Sequence, residues 1–208
     1  MKNMVIIGPP GSGKDTQIEE LAKYNKFTLI SSGDIARKLA AKNEKLKKII
    51  NEGGLVDDTI LLTEIDKLLD NVDQSEGVVF DGFPRTLHQA DSLGEMLLHH
   101  GRNMDVAIYI QLDEEEIVKR LSSRRICAIC GHDIHHGSEK CVECGGRPIR
   151  RSDDEPAVII KRVQTFLENT LPLINYYRNK GIIIEINGDQ SISAVAREIK
   201  EKLGENAE

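Results

Sequence analysis

Apolar residues recur along the chain in short, nearly continuous runs: Val5-Ile6-Ile7, Phe27 to Ile30, Val78-Val79-Phe80, Val106 to Leu112 and Ile182 to Ile186. A strand with one wet face alternates polar and apolar residues, whereas an unbroken run suits a parallel strand covered on both faces. Between the runs, apolar residues return at helical spacing. Ile18, Leu21 and Ala22 share one face, as do Leu87, Ala90, Leu93 and Leu97, and later Ile192, Val195, Ile199 and Leu203. Asp113 with Glu116, ahead of Ile117, reads as a capping box that opens a helix. Acids at its start (Glu114 to Glu116) and bases at its end (Lys119, Arg120, Arg124, Arg125) complement the helix dipole. Strands alternating with helices predict an α/β fold: a doubly wound, parallel, five-stranded sheet with helices on both faces.

Two stretches interrupt that alternation. Residues 32-60 carry helical patterns (Leu46, Ile49, Ile50, stopped at Gly53-Gly54) with no strand among them. Residues 122-155 hold every cysteine and little core-forming sequence. Both read as insertions at the carboxyl ends of strands, where open α/β sheets bind ligands. The core is then 1-31, 61-121 and 156-208, with a frayed tail from Gly204.

A length of 208 residues with 39% hydrophobic and 30% charged residues is ordinary globular composition, with ample material for a core. The net charge of −6 argues against bulk nucleic-acid binding, which needs a concentrated positive surface. Val5-Ile6-Ile7 is far too short for a signal peptide or membrane span, so a cytoplasmic protein that does not engage membranes is expected. In a reducing compartment, four cysteines confined to Cys127–Cys144 favour a metal over disulfides.

The sharpest chemistry follows the first strand. Gly8-Pro9-Pro10-Gly11-Ser12-Gly13-Lys14 leads into a helix, the context in which a glycine-rich loop is a phosphate cradle. Backbone N–H groups converge on phosphate oxygens, and Lys14 reaches the β- and γ-phosphates. The usual hydroxyl directly after the lysine is displaced, because Asp15 intervenes before Thr16. A guanine-reading Asn-Lys-x-Asp is absent, which removes the GTPase-type switch. After the strand at Val78, the turn Asp81-Gly82-Phe83-Pro84-Arg85-Thr86 sets Arg85 to grip a second anion at a strand's carboxyl end.

Taken in order, Gly8 to Lys14 with Thr16-Gln17, Ser32-Gly33-Asp34 with Arg37, Asp81 to Arg85 with Gln89, Arg120 and Arg124, Arg151-Ser152-Asp153-Asp154, Arg162, and Pro172-Leu173 before Tyr176-Tyr177 resemble the adenylate kinase family. The resemblance runs from Gly8 to about Gln190. It implies a P-loop core, a helical NMP-binding insertion and a lid that closes over both nucleotides. It implies reversible transfer from Mg·ATP to AMP giving two ADP, by a protein expected to be a monomer. It gives Gly11, Ser12, Gly13, Lys14, Asp15 and Thr16 to the ATP phosphates, and Thr16 with Asp81 to Mg2+, the latter through water. Ser32, Gly33, Arg37, Gly54, Leu55, Val56, Gly82, Phe83, Pro84, Arg85 and Gln89 are implied for AMP. Arg120 and Gln190 are implied beside the ATP base. Arg124, Arg151 and Arg162 are implied around the transferring group, the last two also on the AMP side. Asp15 departs from the family's glycine; it is expected to turn outward and take no part in catalysis.

Cys127-Ala-Ile-Cys130-Gly and Cys141-Val-Glu-Cys144-Gly are twin knuckles whose four thiolates match a closed, structural zinc site. A lone redox pair would not be duplicated with its glycines. His132, His135 and His136 between the knuckles are taken as surface residues. Zinc-bearing lids occur in the resembled family, but this one is short. Asp133-Ile134 occupies the place of lid residues that hold the ATP base, implying a weaker or less choosy hold. A zinc-ribbon nucleic-acid module would need basic or aromatic residues around the knuckles, and the linker is nearly neutral. A nucleotide-binding zinc-ribbon regulator is the rival outside enzymes. Within enzymes the rival is a CMP or UMP kinase, and Gln89 carries that choice, because a side-chain amide can both donate to and accept from the adenine edge.

Overall fold

The computed structural model describes residues 2–134 and 137–204, so His135 and His136 lie outside the described residues. Five strands form one parallel sheet: β1 (Met4–Ile7), β2 (Phe27–Ser31), β3 (Gly77–Asp81), β4 (Val106–Gln111), and a last strand, Ile183–Asn187, that becomes β8 in chain order. Their spatial order is β2-β3-β1-β4-β8. The connection leaving β1 runs to one side of the sheet and that leaving β4 to the other. Their loops therefore part and leave a crevice at the carboxyl edge.

Both sheet faces are covered, which is why the apolar runs are unbroken. Val5 and Ile7 point to one face with Val78 and Phe80, under α4 (Asp58–Leu69) and α5 (Leu87–His99). The same face takes Leu173, Ile174 and Tyr177 of Pro172–Asn179, which is α8. Met4 and Ile6 point to the other with Val79 and Ile108, under α1 (Lys14–Ala22) and α9 (Ile192–Leu203).

Three expected helical stripes are shorter than the periodicity suggests. Ala22 is exposed and Gln17 takes its buried place. Leu87 and Ile192 are 45% and 44% exposed. Each of these two is the first residue of its helix. The expected capping box at Asp113 is also absent. α6 (Glu114–Ser123) does start after Asp113, but that side chain caps nothing. Glu116 instead binds Lys119 at 2.8 Å and Arg120 at 2.9 Å, because ion pairs with cations three and four residues on outcompete the neutral N–H of the cap.

The two interrupting stretches extend from the carboxyl edge. The first holds α2 (Ser32–Ala40), α3 (Glu44–Asn51) and the start of α4. The second carries a small antiparallel sheet of β5 (Arg125–Cys127), β6 (Asp133–Ile134) and β7 (Pro148–Ile149), ordered β6-β5-β7. It hangs between α6 and α7 (Pro156–Thr165), which clasp each other through Ile117, Leu121, Ile159 and Val163. A π-helical turn, Phe166–Thr170, joins α7 to α8. Among the described residues no helix is long and apolar enough to cross a membrane.

The opposite, amino edge of the sheet is locked by one buried cation. Arg102, 5% exposed, donates to the carbonyls of Glu76 (2.7 Å), Asp73 (2.7 Å) and Val72 (3.2 Å), and approaches Asn3 Oδ1 at 3.3 Å. Arg102→Ala should leave these carbonyls unsatisfied and destabilise the protein by about 2–4 kcal/mol. Calorimetry should show a lower melting midpoint with turnover nearly unchanged at low temperature, since the lock lies away from the cleft.

Candidate active site

A cleft of about 990 Å3 opens along the carboxyl edge. Its floor is the loop after β1. Gly11 and Gly13 sit at φ 79° and 87°, conformations that a side chain would strain. Gly13 is the N-cap of α1, and no side chain caps that helix end. The first-turn amides are therefore available to an anion. Lys14 Nζ folds over the loop, donating to Gly8 O at 2.9 Å and Pro9 O at 3.0 Å, with Ser12 Oγ at 3.4 Å. Burial lowers its pKa, against the raising charges of Asp81 and Asp15. Asp81, at the end of β3, accepts from Ser31 Oγ at 3.1 Å. Burial and the Asp15 charge push its carboxyl up, and Lys14 holds it back. Asp15 is exposed to solvent but, with Thr16 beside it, lines the cleft, and its charge acts on Lys14 and Asp81, so it is not turned clear of the site.

Three arginines face this loop from the lid and its return helix, and two carboxylates hold them in place. Asp154, 0% exposed, takes a two-pronged contact from Arg124 at 2.8 and 2.7 Å and a third bond from Arg162 Nη1 at 2.9 Å. Asp153 takes the matching fork from Arg151, both bonds at 2.8 Å, and lies 3.3 Å from Arg162. Burial alone would raise Asp153. The Arg151 hydrogen bonds and the Arg151, Arg162 and Arg124 charges outweigh it and hold the carboxyl down to about 2. Burial, with Arg124 and Arg151 close by, lowers Arg162 to about 10 against the pull of Asp153, so it stays cationic at neutral pH. No role for Asp153 or Asp154 was evident from sequence. Two adjacent acids, one residue removed from the pair Arg150-Arg151, were the available signal.

Arg85 enters from the β3 side. Its Nε donates to Gly82 O at 2.7 Å. Burial lowers its pKa, helped by Arg37 and Arg151 and opposed by Asp81. Gly33, Arg37, Gly82 and Pro84 line the same wall, and Ser32 Oγ donates to Gly82 O at 2.6 Å. Several expected residues lie off the cleft. Phe83 and Val56 are buried in the core, Gly54 and Leu55 are half-buried behind Gly53, and Gln89 is turned inward. At the other end, Arg120 donates to Gly188 O at 3.1 Å. Gln190, lining the cleft, donates to Asn187 O at 2.9 Å and Glu198 at 2.8 Å. Asp133 and Ile134 close the roof, with burial pushing Asp133 up against the Arg124 charge. Glu19 of α1 meets His132 of the lid at 3.5 Å.

In the lid, the sulfurs of Cys127, Cys130, Cys141 and Cys144 all lie within 4.8 Å of one another. Neighbouring pairs stand at 3.3 to 3.6 Å. Zinc–sulfur bonds of about 2.3 Å span sulfurs about 3.8 Å apart, so the four fit one tetrahedral ion with little adjustment. Gly131 and Gly145, at φ 76° and 71°, turn the chain after each pair. The backbone N–H groups of Cys130 and Ile129 hold the Cys127 thiol down to about 6, while, against backbone N–H bonds of their own, hydrogen bonds among the clustered sulfurs push Cys130 up to about 12 and Cys144 up as well.

A glycine-rich phosphate loop on a parallel sheet, a second anion-gripping arginine across a crevice, and a lid that brings further arginines define the class of P-loop nucleoside monophosphate kinases. The "Adenylate kinase" family model matches residues 6–182. The chain is 37% identical over 208 residues to the adenylate kinase of Archaeoglobus fulgidus, covering 95% of this chain and 96% of that protein. It is 40% identical over 207 residues to that of Desulforamulus reducens, covering 95% and 97%. It is 38% identical over 211 residues to that of Kosmotoga olearia, covering 97% and 98%. The chain belongs to the adenylate kinase family. It is a phosphotransferase that moves a phosphoryl group between ATP and AMP.

Proposed function

We propose that Lys14, Arg85, Arg124, Arg151 and Arg162 carry that transfer as one unit. The supporting observation is that all five line one cleft between the phosphate loop and the Asp81–Arg85 turn. Lys14 and the amides of Gly11 to Thr16 hold the ATP phosphates, and Arg85 with Arg37 grips the AMP phosphate. Arg120 and Gln190 flank the ATP base, with Asp133 and Ile134 above. The acceptor oxygen is already an anion, so no general base is required. What the protein supplies is alignment and positive charge for the equatorial oxygens. Thr16 and Asp81 would hold Mg2+, Asp81 through a water, and the ion neutralises phosphate charge when bound. Asp15 takes no step; it is exposed at the cleft's edge, and its charge acts on Lys14 and Asp81.

Residues 32–60 serve as the AMP-side arm and 122–155 as the lid, and both close on the core when nucleotides bind. The aspartate forks keep Arg124, Arg151 and Arg162 extended toward the cleft beforehand, so phosphate inherits oriented guanidiniums. We assign Zn2+ to the four lid cysteines in a structural role, since four protein ligands leave no open position for chemistry. The protein acts as a monomer in the cytoplasm.

The acceptor assignment is tested by offering AMP, CMP, UMP and GMP with Mg·ATP and measuring ADP formation. AMP should lead by a wide margin, and equal use of CMP or UMP would overturn the reading. The lid assignment is tested by metal content, melting and activity before and after chelation. Roughly one equivalent of zinc is expected, with activity and the melting midpoint both falling on its removal while the sheet stays folded. Less than about half an equivalent, or unchanged melting after stripping, would remove the structural-zinc reading.

A further inference from the structure

Gln89 is the third residue of α5, whose N-cap Thr86 accepts its backbone N–H at 3.2 Å. Its side chain is 1% exposed and both ends of the carboxamide are engaged. Oε1 accepts from the backbone N–H of Arg85 at 2.6 Å, and Nε2 donates to Asp58 Oδ1 at 2.6 Å. Asp58 is the first residue of α4, and its second oxygen meets His88 Nδ1 at 3.0 Å. The carbonyl of Arg85 is held as well, by Thr170 Oγ1 at 3.1 Å. One chain of hydrogen bonds thus runs from the start of α4 through Gln89 to the peptide that carries the anion-gripping guanidinium.

The two partners leave Gln89 a single orientation. Turned over, its NH2 would face the Arg85 N–H and its oxygen would face the Asp58 carboxylate, two repulsive contacts in a buried place. A carboxamide has two N–H donors and an oxygen with two lone pairs, so one donor and one acceptor remain unspent. In that fixed sense they match a base edge offering an amino donor beside a ring-nitrogen acceptor, as adenine and cytosine do. Guanine and uracil present the reverse, a carbonyl beside a ring N–H. An amide free to turn over could satisfy either kind; a locked one cannot.

We propose that Asp58 is a positioning residue of the acceptor site, locking Gln89 in the sense that accepts amino-bearing bases and rejects keto bases. This rests on reading the Asp81–Arg85 side of the cleft as the AMP site. Because Gln89 is covered, the base meets its free edge only as the nucleotide seats itself, and Asp58 ensures that this edge is already correctly turned. The bond also ties base recognition to the first turn of α4, where the AMP-side arm rejoins the core.

The test is steady-state kinetics on the whole protein with Mg·ATP and AMP, CMP, GMP or UMP, for the parent, Asp58→Ala, Asp58→Asn and Asp57→Ala. Asp58→Ala should raise KM for AMP about two- to tenfold, the worth of one net hydrogen bond, with kcat held within about twofold. GMP and UMP should gain relative to AMP, whereas CMP should weaken in parallel with AMP. Asp58→Asn keeps a carbonyl oxygen for Gln89 Nε2 and should restore most of the preference. Asp57 caps α4 by accepting from Thr59 N at 2.9 Å and is not bonded to Gln89. Asp57→Ala should therefore lower the melting midpoint while leaving acceptor preference as in the parent, which separates positioning from mere helix stability. An Asp58→Ala protein with the parent's KM and preference would sink the proposal. So would one whose kcat falls equally for every acceptor. A parent that does not favour AMP would instead sink the acceptor assignment itself, before any variant is read.

Discussion

Lys14, Arg85, Arg124, Arg151 and Arg162 are drawn from four separate regions of the chain and crowd one crevice. Like charges at such range repel, and the surrounding burial lowers the pKa of Lys14, Arg85 and Arg162. The arrangement holds together because carboxylates stand among the cations: Asp81 near Lys14, and Asp153 and Asp154 forked into the arginines. Removing a buried counter-charge such as Asp154 would take the forked partner from Arg124 and leave Arg162 with Asp153 alone, which is far costlier than losing an exposed pair.

The fold is arranged to deliver these groups to one place. Parallel strands send all their carboxyl ends to the same edge, and β1, β3 and β8 each end in a loop that contributes to the cleft. The loops after β1 and β3 supply Lys14 and Arg85, and the α6–α7 clasp carries the lid arginines. The cysteine cluster sits in a lid whose own buried apolar set is little more than Cys127, Ile134 and Cys141. Such a small unit lacks the apolar area to order itself, which gives metal coordination a physical purpose there.

Much of this was legible in the sequence because it rests on local rules. Unbroken apolar runs located the five strands within a residue, glycine spacing located the phosphate loop, and paired knuckles located the cysteine cluster. What was not legible depends on partners distant in sequence. Arg124 meets Asp154 thirty residues away, and Gln89 meets Asp58 thirty-one away, and neither pairing leaves a local trace. Motif spacing marked Gln89 as the residue beside the base, but not that its carboxamide is also bonded to Asp58 and the Arg85 N–H. The capping box at Asp113 failed because Glu116 had better partners within its own helix. Periodicity located the helical faces of Leu87 and Ile192 but not that these first residues of α5 and α9 stay exposed.

The central claim is that the lid arginines act as one charge-compensating unit, held ready by shared carboxylates. A double-mutant cycle in kcat on Arg124→Ala and Arg162→Ala tests it most directly, because both side chains bind Asp154 and are assigned to the same phosphoryl group. Each single change should lower kcat by about three powers of ten or more, by analogy with arginine fingers, and the double change should cost little beyond the worse single one. Losses that simply add in free energy, or a single variant with near-normal turnover, would contradict the account.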